Sequence, residues 1–321
     1  MTDTTRVRWG LMGTGRIVQK LLIGAHQSDQ LEVVAVGSRT LDRARLFAQD
    51  NGIGRVHGSY EDLLADPDVD AVYISLPNSL HHEWTLRSLA AGKHVLCEKP
   101  YTRQPAQVDE AFDAADAGGL VLQEAFMWRH TPQVRRLVEL LDRIGPVRTI
   151  RSTFGYVIAS EVDIRLAADL DGGSLMDVGC YCVSASRLVA GEPERVSGEQ
   201  VIDGSGLDRR FTGMLRFPGD VIAEFTCGFD AFHESLEVIG EGGRVLLPDP
   251  WHSRSGLLYL DDEAIRVEAA NPYRLELEDM GAAIRGERPA LLGRADALGQ
   301  ARTIEALYRA ADTGLPVVMT S

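Results

Sequence analysis

Three side chains in this sequence have types and spacings suited to proton transfer at a carbon–oxygen bond: Lys99, Asp177 and Tyr181. Lys99 ends the run Val95-Leu96-Cys97-Glu98-Lys99-Pro100, an apolar strand pattern stopped by an acid, a lysine and a proline. Proline cannot donate to a sheet ladder and pushes its predecessor away from helix, so the chain leaves the sheet at Lys99 and delivers the ammonium to a strand's carboxyl edge. Asp177 and Tyr181 lie four residues apart in a stretch, 174–189, patterned as a helix, which puts them on one face and one turn apart. A phenol with a pKa near ~10 is a poor base at neutral pH, and a neighbouring cation stabilises its phenolate. On this reading Tyr181 is the acid/base on a hydroxyl, and Lys99 holds the same oxygen and its developing charge. Asp177 binds a neighbouring hydroxyl or orients Lys99. The structural alternatives are a helix cap for Asp177 and a packed core tyrosine for Tyr181.

A second constellation lies near the start of the chain. Gly10-Leu11-Met12-Gly13-Thr14-Gly15-Arg16-Ile17-Val18 follows a strand pattern and opens a helix pattern. Gly13 and Gly15 allow a tight turn and the close approach of a pyrophosphate to backbone N–H groups, which makes Gly10, Met12, Gly13, Thr14, Gly15, Arg16 and Ile17 the candidate cofactor contacts. Val18 occupies the third position of the dinucleotide fingerprint, where a small residue is usual. The next strand ends in Val36-Gly37-Ser38-Arg39-Thr40, with no acid to receive the ribose hydroxyls, and Glu32 falls at that strand's beginning. Ser38, Arg39 and Arg43, one turn into the following helix, suit a 2′-phosphate. The expected cofactor is NADP rather than NAD, and its positive nicotinamide would add to Lys99 in stabilising the Tyr181 phenolate.

The elements that must position these groups follow from hydrophobic periodicity. Strand patterns at 7–12, 31–36, 69–76, 94–97 and 120–123 alternate with helical patterns at 16–27, 41–50, 60–65, 80–91 and 105–117, the signature of a parallel sheet covered on both faces. The rhythm changes after Phe126. A helix over 133–144 leads into a strand over 147–158, the helix 174–189 follows, and strand runs at 211–217, 221–229 and 235–247 are joined by hairpin connections. Helices over 273–284 and 294–313 close the chain. The expected fold class is α/β: an N-terminal doubly wound parallel (Rossmann) sheet over 1–125, then an α+β domain with a large, mostly antiparallel sheet over 126–321.

Composition excludes several functions. With 33 basic and 47 acidic residues the net charge is −14, which argues against a nucleic-acid partner. No apolar run approaches the ~18 residues of a membrane span. The N-terminus lacks a signal pattern, so the cytoplasm is the expected compartment. Cys97, Cys180, Cys182 and Cys227 lack metal or disulfide spacing and are expected to be reduced core thiols, and the histidines show no metal-like spacing. A strand-rich second half with few helices to cover it predicts a homodimer or homotetramer.

The motifs together resemble the glucose-fructose oxidoreductase, inositol dehydrogenase and MocA family of two-domain dehydrogenases. The resemblance rests on Gly13-Thr14-Gly15-Arg16-Ile17, Leu76-Pro77-Asn78 followed by His81, Glu98-Lys99-Pro100, and Gly172-Gly173-Ser174-Leu175-Met176-Asp177-Val178-Gly179. It is strongest toward the dimeric dihydrodiol dehydrogenase and NADP-dependent D-xylose dehydrogenase branch, through Glu124-Ala125-Phe126-Met127-Trp128-Arg129, Asp163-x-Arg165 and Gly179-Cys180-Tyr181. It implies cofactor contacts at Leu76, Pro77, Asn78, His81, Glu98 and Lys99. Tyr181 stands where many members carry a histidine, which weakens a claim for inositol oxidation. Trp128, Arg129, Phe154 and Arg165 are the candidate lining of a cleft for a sugar or cyclic diol, with Asp177 and Tyr181. Three functions compete: an NADP-dependent oxidoreductase on a secondary alcohol or hemiacetal of a sugar or on a trans-dihydrodiol, a ketoreductase on a nucleotide-linked sugar, and a non-catalytic NADP sensor. The lysine and phenol argue against the sensor.

Overall fold

The computed structural model describes residues 6–160 and 163–319. Strand and helix first alternate as β1 (Val7–Met12), α1 (Arg16–Ala25), β2 (Leu31–Gly37), α2 (Leu41–Asn51), β3 (Arg55–His57), α3 (Tyr60–Leu64), β4 (Ala71–Ile74), α4 (His81–Ala90), β5 (His94–Glu98), α5 (Pro105–Gly118) and β6 (Leu122–Ala125). The six strands are all parallel, in the order β3-β2-β1-β4-β5-β6. Trp9, Leu11, Val36, Val72, Ile74 and Leu96 are buried because helices cover both faces. The winding reverses between β1 and β4, the switch point at which such sheets open a crevice beyond their carboxyl ends. Glu32 pairs with Arg8 and Gly37 with Met12, so Glu32 lies at the opposite end of β2 from the nucleotide turn.

The later chain supplies α6 (Pro132–Ile144), β7 (Val147–Gly155), a π-helical turn (Leu175–Gly179) running into α7 (Cys180–Ala190), β8 (Arg195–Ile202), β9 (Asp208–Phe217), β10 (Val221–Gly228), β11 (His233–Gly240), β12 (Gly243–Leu247), β13 (Leu257–Leu260) and β14 (Glu263–Arg266). It closes with α8 (Pro272–Ile284), α9 (Arg294–Thr313) and β15 (Val317–Val318). The large sheet runs β14-β13-β12-β11-β7-β10-β9-β8-β15 and is antiparallel except where β10 pairs with β7. Period-two alternation sorts its faces. Phe211, Leu215, Phe217, Phe225, Leu236 and Val238 are buried on the inner face, whereas Met214 and Ile222 are exposed on the other. All four cysteines are buried and unbridged. Among the described residues no helix is long and apolar enough to cross a membrane.

Two compact units result, and they are not contiguous in sequence. One holds the residues up to Met127 together with Asn271–Ala297, and the other holds Trp128–Ala270 and the residues from Leu298. The expectation of a single boundary near residue 125, with 126–321 as one domain, therefore differs from the packing for Asn271–Ala297. The physical reason is close approach: a Cβ added at Gly24 of α1 would lie 2.7 Å from the Arg274 nitrogen, so this glycine lets α8 pack directly on α1. The strands β3, β8, β13, β14 and β15 were also absent from the sequence-based expectation, and the helix expected over 174–189 begins as a π turn.

Candidate active site

The first unit builds the nucleotide end. Gly13 has φ +108°, a region L side chains avoid, and a Cβ there would lie 2.9 Å from Ser75 Oγ. Its N–H donates to the Gly37 carbonyl at 3.0 Å, tying the end of β1 to the end of β2. Helix α1 starts after Gly15 with no side-chain cap and no acid in its first turn. A tight glycine turn followed by an uncapped helix start at the switch point is the cradle a pyrophosphate fits. Val18 is fully buried beneath it and is accommodated without a small residue. Ser38 is buried, while Arg39 and Arg43 are exposed. Burial raises the Tyr60 phenol, and the charges of Arg39 and Arg43 both pull it the other way. That pairing of cations fits a 2′-phosphate.

Two residues expected at the cofactor have other engagements. His81 is 0% exposed, with Nδ1 3.0 Å from the Pro100 carbonyl and Nε2 2.9 Å from the Leu76 carbonyl. The ring is therefore wedged between the loop after β4 and the loop after β5, donating its one N–H to one of these two carbonyls, and it braces the Lys99 segment in place of the expected cofactor contact. Burial pushes its pKa down, and the Lys99 cation adds to that. Glu98 accepts a hydrogen bond from the Tyr73 phenol at Oε1 and from the Lys99 N–H at Oε2, the latter 3.3 Å long. Its carboxylate thus fixes the backbone from which Lys99 projects. Cys97 is buried, and burial holds its thiol well above the usual range, so it is inert as expected.

The second unit builds the phenol end. Asp177 lies in the π turn and Tyr181 in the first turn of α7. Four residues come closer to one full revolution in a π turn than in an α-helix, so the pair remains on one side. Strand β7 and the residue after it meet them in step. Phe154 packs edge-on to Tyr181, with ring centroids 5.2 Å apart, and Tyr156, two residues on, donates its phenol to Asp177 Oδ2 at 2.5 Å. Arg165 Nε lies 3.3 Å from the same Asp177 oxygen, and Arg165 Nη1 lies 3.1 Å from Asp163 Oδ1. Burial opposes the Arg165 charge, but Asp177, Tyr156 and Asp163 more than offset it and raise its pKa. Trp251, fully buried, backs these rings, stacked on Phe154 at 5.6 Å and 5.8 Å from Tyr181. Its indole N–H donates to the Thr153 carbonyl at 2.9 Å.

This geometry refines the expected lining. Trp128 is 0% exposed and sits edge-on to Trp251, so it supports that ring from behind and offers no surface of its own. Arg129 places its guanidinium 5.9 Å from the Trp128 ring and donates to Ser184 Oγ at 3.3 Å, bracing α7. Ser174, at the start of the π turn, makes no side-chain cap, and the Asp177 carboxylate is engaged by Tyr156 and Arg165. Tyr156 and Trp251 were missed from sequence. Tyr156 carried a usable signal, two residues beyond Phe154 on a strand pattern, whereas Trp251 sits in an irregular loop whose path only the fold reveals.

Comparison with known proteins agrees with both halves. A model of the oxidoreductase family with an NAD-binding Rossmann fold matches residues 7–126, and the GFO/IDH/MocA C-terminal domain matches 133–246. The chain is 37% identical to a D-xylose 1-dehydrogenase (NADP(+)) of Haloferax volcanii, over 96% of this chain and 98% of that one. It is 36% identical to the trans-1,2-dihydrobenzene-1,2-diol dehydrogenase of Mus musculus, over 76% of this chain and 75% of that one. Among solved structures, KijD10, a 3-ketoreductase from Actinomadura kijaniata in complex with NADP and TDP-benzene, superposes with a TM-score of 0.89 at 31% identity, over 95% of this chain and 98% of that one. With both domain models matched and the D-xylose dehydrogenase covered almost end to end, the chain belongs to the Gfo/Idh/MocA family of oxidoreductases.

Proposed function

We propose that this protein is an NADP-dependent dehydrogenase acting on a secondary alcohol or hemiacetal of a sugar, or on a trans-dihydrodiol, in the cytoplasm. The observation that carries the reading is the setting of Tyr181. Its ring lies against Phe154, with Trp251 buried behind both, and Asp177 is one turn away and tied to Tyr156 and Arg165. An apolar face beside a few fixed polar groups suits a cyclic polyol or diol. The relatives named for D-xylose and for a dihydrobenzene diol support the same substrate class.

NADP, when bound, supplies the acceptor for the hydride that leaves the substrate carbon. Gly13, Gly15 and the start of α1 would hold its pyrophosphate, and Ser38, Arg39 and Arg43 its 2′-phosphate. Tyr181 takes the proton from the substrate hydroxyl and returns it in the reductive direction. Lys99 donates a hydrogen bond to that oxygen, which stabilises alkoxide character and lowers the phenol's pKa. Asp177 orients a neighbouring hydroxyl. Leu76, Pro77 and Asn78 would line the loop that receives the cofactor.

The working form is an isologous dimer through the outer face of the large sheet, where Met214 and Ile222 lie exposed among cross-strand polar pairs such as Arg151–Glu224 and Thr212–Thr226. The deciding experiment follows NADPH by absorbance over a panel holding D-xylose, other aldoses, a trans-dihydrobenzenediol and a nucleotide-linked sugar. Turnover of aldoses or the diol supports the reading. Turnover of the nucleotide-linked sugar alone selects the ketoreductase, and NADPH binding without turnover of any member selects the sensor.

A further inference from the structure

The π turn that carries Asp177 is held from below by a buried carboxylate to which no role has been assigned. Asp208 is the first residue of β9 and is buried. Its Oδ2 accepts hydrogen bonds from Ser174 Oγ at 2.7 Å and from the Leu175 N–H at 2.7 Å. Its Oδ1 accepts from the Tyr308 phenol of α9 at 2.9 Å. Gly173 has φ +114°, and a Cβ there would lie 2.2 Å from Asp208 Oδ1. The glycine before the turn is thus required both by its backbone conformation and by the space the carboxylate fills. The Asp177 N–H, in turn, donates to the Gly173 carbonyl at 3.0 Å. One side chain, some thirty residues away in sequence, therefore fastens the segment from Gly173 to Leu175, on which Asp177 is built.

We propose that Asp208 is a positioning residue for the reaction: by fastening the start of the π turn to β9 it sets the places of Asp177 and, one turn on, Tyr181. The inference rests on the reading of those two residues as substrate-facing groups. The energetics favour a specific role over simple packing. Burial pushes the Asp208 carboxyl up, and the donors from Ser174, Leu175 and Tyr308, with its own backbone N–H, pull against it. A buried acceptor is costly unless its donors are in place, so it is tolerated where it specifies a geometry. An α-helix start could have been capped by a local Ser, Thr or Asp. Here the acceptor comes instead from the sheet, which ties the turn to the layer that carries Phe154 and Tyr156.

The test uses the full-length protein and three variants. Asp208→Ala removes all three acceptor contacts. Asp208→Asn keeps an oxygen for Ser174 and the Leu175 N–H and can donate its amide to the Tyr308 oxygen, so it restores the geometry without the charge. Ser174→Ala removes one donor and serves if Asp208→Ala does not fold. Two readouts are taken together: hydrogen exchange of peptides spanning 172–183, and steady-state kcat with NADP affinity measured separately. The expected result for Asp208→Ala is exchange at least ~10-fold faster in 172–183, kcat at least ~10-fold lower, and NADP affinity within about 2-fold. Ser174→Ala should move both readouts in the same direction by about 3-fold, and Asp208→Asn should recover most of both.

Faster exchange with unchanged kcat would make Asp208 a structural brace only and overturn the proposal. Unchanged exchange in both Asp208→Ala and Ser174→Ala would overturn it too. Failure of Asp208→Asn to recover either readout would likewise overturn it, because the contacts it restores would then not be what sets the turn. Tyr181→Phe separates this from the parent reading: it should abolish turnover with exchange unaltered, and its retention of turnover would sink the acid/base assignment while leaving the exchange result to judge Asp208.

Discussion

Glu276→Gln is expected to remove a pH dependence from the stability of the first unit. Glu276 lies on α8, is 1% exposed, and its Oε1 has no hydrogen-bond partner among the described residues. Burial raises its pKa well above the ordinary 4.5, and the charges of Glu98 and Asp279 raise it further. The folded protein therefore retains a proton that the unfolded chain releases once pH exceeds the ordinary carboxyl value. Stability contributed this way is fully present below the unfolded pKa and falls as pH rises toward the folded one, with a slope of about 1.4 kcal/mol per pH unit. Above the ordinary carboxyl value the loss accumulates for as long as the folded protein holds its proton. Glutamine keeps the shape and the neutral state but binds no proton. The variant should match the wild type at pH 4 and exceed it increasingly above, which urea unfolding followed by tryptophan fluorescence at several pH values measures directly. Parallel stability–pH curves for the two proteins would refute the claim that Glu276 is buried in its protonated form.

Other outcomes are expected from the same structure. Arg39→Ala should weaken NADP binding by about 2 kcal/mol, roughly 30-fold, and leave NAD binding nearly unchanged, as read by quenching or fluorescence titration; equal affinity of the wild type for the two cofactors would remove Arg39 and Ser38 from the 2′-phosphate site. Tyr156→Phe should lower kcat by roughly 10-fold with little change in NADP affinity, since it deletes the phenol that orients Asp177, a charge-assisted bond worth about 2 kcal/mol at most. Light scattering at micromolar concentration should give a dimer for the wild type and a monomer for Met214→Glu combined with Ile222→Glu, and a monodisperse wild-type monomer would contradict the sheet-face interface.

The half of the chain built from strand–helix alternation was legible because its signals are local. Apolar runs such as Val7–Met12 and Ala71–Ile74 mark buried parallel strands, and Gly13 announces its turn by being glycine. The hairpin at Gly240–Gly243 was legible for the same reason. What escaped depended on partners distant in sequence. The π turn cannot be told from an ordinary helix start by periodicity, because the acceptor that shapes it is Asp208. Glu98 and His81 read as ligand contacts in a motif, yet each answers to groups brought in by the sheet, Tyr73 in one case and the Leu76 and Pro100 carbonyls in the other. Strand β8 was missed because Val196, Gly198 and Gln200 give little apolar alternation, and its pairing with β9 decides its state. Asn271–Ala297 carried no composition shift that would send it back to the first unit, and the small surface of Gly24 is the only local trace of that packing.

The central claim is that Lys99 and Tyr181 serve one substrate oxygen, and a double-mutant cycle on turnover tests it most directly. Lys99→Ala and Tyr181→Phe should each lower kcat by at least ~100-fold with NADP affinity changed far less, and the double variant should be little worse than either single, because proton transfer fails once one partner is gone. Near-normal turnover in Tyr181→Phe, or losses that multiply in the double variant, would contradict the account.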